Sequence, residues 1–198
     1  TDLNGLRDGL ARVIDSYGVP LNSSERATVD RFHRRFIIEG LSLQFNTSGR
    51  PPQYDYPALR DLLLEVDKGG TRRSYLASEE DFQFVKRLQE ADRIVPIVGD
   101  LSGETALATV ARFLSQGNLQ LAAFYTSNVE FYLFRGGRFD DFISNLRLLP
   151  RLPGSVIVRS VFAGGAAARV PGYNSASLTQ PVDTLVEGYA KGHFRNYR

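Results

Sequence analysis

The chain has 198 residues, 42% of them hydrophobic and 23% charged, a size at which one core can bury most of its apolar surface without staples. Its 24 Lys and Arg against 22 Asp and Glu leave a net charge of +2, too small for a polyanion-binding field, so nucleic acid is an unfavoured partner. The absence of cysteine excludes disulfides and thiolate chemistry, and two histidines exclude a multi-histidine metal centre, so no metal is expected.

Leu3, Leu6, Leu10, Val13, Ile14 and Tyr17 recur at three- and four-residue steps and predict a first helix, ended by Gly18 and Pro20. A second helix begins near Ser23 or Ser24 and carries Val29, Phe32, Phe36 and Ile37 on one face. Arg26, Arg31, Arg34 and Arg35 occupy its other faces, interrupted by Glu25, Asp30 and Glu39, which reads as a solvated surface. Asn46 to Gln53 has loop composition, and a short helix is expected from Tyr56 to Val66. Beyond Gly69 and Gly70, the stretch from Thr71 to Leu76 has no clear pattern. Ser78 has the features of an N-cap, followed by Glu79, Glu80 and Asp81, for a helix reaching Asp92 and packing Phe82, Val85 and Leu88.

From Ile94 the pattern changes. Ile94 to Val98 reads as a short buried strand, although Pro96 places it at an edge or a bulge. Gly99 to Gly103 turns into a helix bearing Leu107, Val110, Ala111 and Leu114. Leu119 to Tyr125 is expected as the next strand, Val129 to Leu133 and Phe139 to Leu149 as helices, and Ser155 to Phe162 as a third strand. Ala163 to Gln180, rich in Gly, Ala and Ser, is expected to be irregular before a last short helix through Val182, Leu185, Val186 and Tyr189. The expected fold class is therefore α/β: a Rossmann-like, mostly parallel sheet with flanking helices, preceded by an N-terminal helical segment. The whole chain is expected to be one domain, with residues 1–92 mainly helical, a βαβαβ core over 93–162, and an irregular tail with a short helix over 163–198. No apolar run approaches the roughly 20 residues of a membrane span, so the chain reads as soluble, with the cytoplasm as its default compartment.

In such sheets ligands bind beyond the carboxyl ends of the strands. The polar residues there are Asp100, Ser102 and Glu104 after the first expected strand, Tyr125, Thr126, Ser127, Asn128 and Glu130 after the second, and Arg159 and Ser160 near the end of the third. Asp100 can act as a base or hold a ribose hydroxyl; as a turn or capping aspartate it is about twice as common. Ser127 or Asn128 can likewise cap the following helix, with Glu130 in its first turn. Gly99 to Gly103 is neither a Walker loop nor a Gly-x-Gly-x-x-Gly fingerprint. Arg72 and Arg73 could clamp an anion beside Tyr75 as a stacking surface, or pair with Glu79 and Glu80. No catalytic residue can be named, and two distant histidines offer no Ser-His-Asp set.

Three segments, Arg73 to Phe82 (RSYLASEEDF), Ile94 to Gly103 (IVPIVGDLSG) and Phe124 to Leu133 (FYTSNVEFYL), carry a family resemblance, with Val158 to Ser160 as a weaker fourth. In their combination and order the chain resembles a largely uncharacterised bacterial family with a Rossmann fold like that of class I S-adenosylmethionine-dependent methyltransferases. The resemblance spans most of residues 30 to 162. It implies a fold, with no activity attached to the family; together with the strand-end polar cluster it makes a methyltransferase-like domain that could use S-adenosylmethionine, with Asp100, Tyr125, Ser127 and Asn128 lining the site, the first expectation. The strand and glycine-rich loop that such proteins carry upstream are not in these 198 residues, so the chain is expected to be the carboxy-terminal part of a larger domain. A non-catalytic module binding a partner protein or a small ligand is the alternative.

Overall fold

The computed structural model describes residues 2–45, 56–162 and 175–197, in two compact units, residues 1–95 and 96–198. The loop expected at 46–53 and the tail over 163–174 lie outside the described residues.

The first unit is helical. Its elements are α1 (Leu3–Ser16), α2 (Ser23–Glu39), α3 (Leu59–Leu64) and α4 (Glu79–Glu90), with a 3₁₀ turn over Gly40–Ser42. Side-chain caps explain three of the starts. Asp2 accepts from the Gly5 amide, Asn22 and Glu25 form a reciprocal capping box, and Ser78 accepts from the Asp81 amide, so amides without intrahelical partners are satisfied. Arg7 grips Asp30 with two 2.6 Å hydrogen bonds and Arg26 reaches Asp15 at 2.6 Å, which ties α1 to α2. The Arg7 guanidinium holds the Asp30 carboxyl below its ordinary range. Apolar packing here is thin: α1, α2 and α4 bury no residue completely, and the faces expected to pack Phe32, Phe36 and Phe82 remain open to solvent.

The second unit holds the core. α5 (Ala106–Gln116), α6 (Val129–Arg135), α7 (Phe139–Leu148) and α8 (Val182–Ala190) accompany the strands β1 (Leu121–Ser127), β2 (Arg151–Phe162) and β3 (Ser175–Pro181). Phe142, Ile143 and Leu146 on α7 meet Ile157 on β2 and Val182 and Leu185 on α8, and Phe124 of β1 stacks obliquely on Phe142. The three- and four-residue spacing on α7 and the two-residue spacing on the strands put these side chains on facing surfaces. Gly137, at φ +65°, makes the turn from α6 into α7, a conformation that costs a side-chain-bearing residue.

The sheet corrects the expectation of a Rossmann-like, mostly parallel architecture. It has three strands in the order β1-β2-β3; β1 and β2 are parallel, whereas β2 and β3 are antiparallel. Two departures produce this. Ile94 to Val98 forms no strand: Pro96 removes a ladder donor in its middle, and Val98 is fully exposed. Conversely, Ser175–Pro181, expected to be irregular, is a strand on the outer side of β2, with Ala176 and Gln180 turned inward and Pro181 at its end, where no further donor is needed. β2 also begins earlier than expected, at Arg151, passing Gly154 at φ +84°.

Truncating the central ring, Phe142→Ala, is expected to lower unfolding free energy in urea by about 3–5 kcal/mol, the range for a fully buried phenylalanine whose neighbours cannot close the void.

Candidate functional site

The sequence candidates in the second unit fall into two groups, each held by its own partners. The first is the loop before α5. Asp100 Oδ1 accepts from the Ser102 amide at 2.8 Å and from the Ser102 hydroxyl at 2.7 Å, the geometry of an aspartate bonding its own backbone two residues on. Arg138 Nη1 stands 3.4 Å from Asp100 Oδ2, and Arg138 Nη2 donates to the Ser102 carbonyl at 3.0 Å. Asn145 on α7 donates to the carbonyls of Leu101 and Gly103, at 3.0 and 2.8 Å. These bonds fasten the loop to α7 and bury Ser102. The Ser102 hydroxyl and amide hold the Asp100 carboxyl below its ordinary range, with Arg138 adding to the effect.

The second group lies at the end of β1. Glu130, in the first turn of α6, is 1% exposed, and Arg159 of β2 donates to both its oxygens: Nε at 2.8 and 2.9 Å, Nη2 at 2.5 Å. The Thr126 hydroxyl is buried against the Val158 carbonyl at 3.0 Å, with Glu130 Oε1 at 3.3 Å. Arg159 Nη1 donates to Gln180 Oε1 of β3 at 3.1 Å, and its guanidinium carbon lies 5.3 Å from the centre of the Phe194 ring. One group therefore links α6, β2 and β3. A carboxylate taken from water to this depth loses several kcal/mol of hydration, which only a well-formed pair restores. Gln180 Nε2 is buried without a partner among the described residues. Its amide cannot simply turn over, because that would set two donors face to face with Arg159.

The remaining candidates frame this group. Ser127 closes β1 at φ +51°, a left-handed backbone that is costly for serine. Asn128 occupies the N-cap position of α6 but makes no capping bond from its side chain. Tyr125, one residue before Thr126, points to the opposite face of the sheet and is 64% exposed. Arg73 and Tyr75 belong to the first unit, where Arg73 Nε donates to Asp67 at 2.8 Å, and not to Glu79 or Glu80. Among the described residues, no group of three or more His, Asp or Glu side chains is placed to hold a metal ion.

A family model described as "Domain of unknown function (DUF7790)" matches residues 55–189, more than half of the chain. The chain belongs to that family. The matched segment takes in both groups of the second unit and also Arg73 and Tyr75. No curated protein matches the chain. Among the described residues, no helix of this DUF7790 member is long and apolar enough to cross a membrane.

Arg138, Asn145 and Gln180 were not among the sequence candidates. Asn145 carried a usable signal: it borders the apolar stripe of Phe142, Ile143 and Leu146, and a polar side chain there must find a partner. Gln180 carried none, since its neighbours in sequence are polar and its role depends on the β2–β3 register.

Removing the carboxylate, Glu130→Ala, is expected to cost about 3–5 kcal/mol in urea unfolding, because it strands the Arg159 charge. For Asp100 the sign runs the other way from a histidine. Its folded-state proton affinity is lowered, so its contribution is present above the ordinary carboxylate range and fades as pH falls through the folded value. Asp100→Asn should therefore flatten the fall in thermal midpoint on acidification below about pH 4 relative to the parent chain.

Proposed function

We propose that the second unit of this DUF7790 domain is a non-catalytic module that binds a partner protein or a small ligand and does not transform it. The observation that carries this reading is that Glu130 and Asp100, two of the carboxylates near the expected ligand edge, are already committed. Glu130 spends its oxygens on Arg159 at 1% exposure, and Asp100 Oδ1 closes its own turn. A general base must have a lone pair within hydrogen-bond reach of the substrate proton, and a nucleophile must have a base beside it. Neither arrangement is favoured by these bonds. What remains accessible is suited to contact: the exposed Tyr125 and Tyr132 rings, amphipathic surfaces of the kind enriched in recognition sites.

Calorimetric titration of the chain with S-adenosylhomocysteine should give no saturable heat up to about 1 mM, a concentration that registers binding as weak as about −4 kcal/mol. Methyl transfer from S-adenosylmethionine by the chain, lost in Asn128→Ala with the fold intact, would overturn the reading.

A further inference from the structure

Thr71, Arg72, Arg73, Tyr75, Ser78 and Phe84 line much of a groove of about 580 Å³ in the first unit, inside the segment matched by the family. The volume is that of a small-molecule site. Its charges are unequally committed. Asp67 Oδ1 accepts from the amides of Gly69 and Thr71, at 2.8 and 3.0 Å, while Oδ2 holds Arg73 at 2.8 Å. Asp67 is thereby consumed by its own turn and by Arg73, and these bonds hold its carboxyl below the ordinary range. Across the groove Ser78 donates to Asp81 at 2.8 Å, which occupies one oxygen of that carboxylate. Arg72 has its backbone fixed by a bridge to Val66, yet among the described residues its guanidinium meets no hydrogen-bond or ion-pair partner. The Tyr75 hydroxyl is likewise without a partner among the described residues. The Tyr75 and Phe84 rings stay about half exposed.

We infer that this groove binds a small aromatic monocarboxylate, with the Arg72 guanidinium taking the carboxylate and the Tyr75 and Phe84 rings taking the aromatic body. A planar guanidinium fork matches a carboxylate with two parallel hydrogen bonds, and the rings supply the apolar area that an inorganic anion could not use. A phosphate dianion suits the groove less well. Only one of the two arginines lacks a counter-charge, and Glu79, Glu80 and Asp81 in the first turn of α4 would repel the second negative charge. The inference stands on a different part of the chain from the proposed function and is independent of it.

The test is saturation-transfer NMR on the full chain with benzoate as the probe, beside benzamide and inorganic phosphate. Benzoate should bind with a dissociation constant on the order of 1 mM, within what a ligand of this size can achieve, whereas benzamide and phosphate should be at least about tenfold weaker. Arg72→Gln should abolish benzoate binding and Tyr75→Ala should weaken it about tenfold, with thermal midpoints unchanged because both side chains are exposed and unbonded. Absence of benzoate binding at about 10 mM would overturn the inference, as would equal binding of benzamide or full retention of binding in Arg72→Gln.

Discussion

The ion pair between Glu130 and Arg159 is the constraint around which the second unit is arranged. It joins the first turn of α6 to the middle of β2, and through Gln180 it reaches β3, so a single guanidinium positions three elements. Thr126 extends the arrangement to β1 by bonding the Val158 carbonyl, beside the residue that carries the guanidinium. At this depth neither charge tolerates the loss of the other. Both Glu130 oxygens face Arg159, and the side chain is sealed from solvent. The features that make Glu130 conspicuous, a buried acid at a strand end, here serve architecture.

The loop from Asp100 to Gly103 repeats the pattern in milder form. Asn145 of α7 and Arg138, the residue that precedes the helix, satisfy three carbonyls of that loop, and Asp100 satisfies the Ser102 amide. The loop thus has a fixed shape without needing a ligand to order it. Its partners come from α7 and the N-cap residue of that helix, which also supplies Phe142 and Leu146 to the core, so loop geometry and core packing are set by the same element.

Helices were legible in the sequence because their signals are local. Ser78 with its acidic first turn and the apolar stripe of α7 each lie within a few residues of one another, whereas the second helix was placed at Ser23 or Ser24 and its cap proved to be Asn22. The sheet was less legible. Ile94 to Val98 has the β-branched composition of a strand, but a strand also needs a partner, and Pro96 weakens any ladder it could join. Ser175 to Pro181 has weak intrinsic preference and becomes a strand only because β2 offers it seven paired positions. The site shows the same division: Asp100 and its turn partner Ser102 could be read from spacing, whereas Arg159 meeting Glu130 depends on contacts 29 residues apart. Arg73 had a local acidic partner within reach, Asp67, on the side of the turn opposite Glu79 and Glu80.

The account rests on Glu130 and Arg159 acting as one structural unit, and a double-mutant cycle over Glu130→Gln and Arg159→Met measures that directly. Urea unfolding of the parent, the two single variants and the double variant should give a coupling energy of about 1.5–3 kcal/mol, with the double variant less damaged than the sum of the singles. A coupling near zero in folded variants would contradict the account and leave Glu130 free for another role.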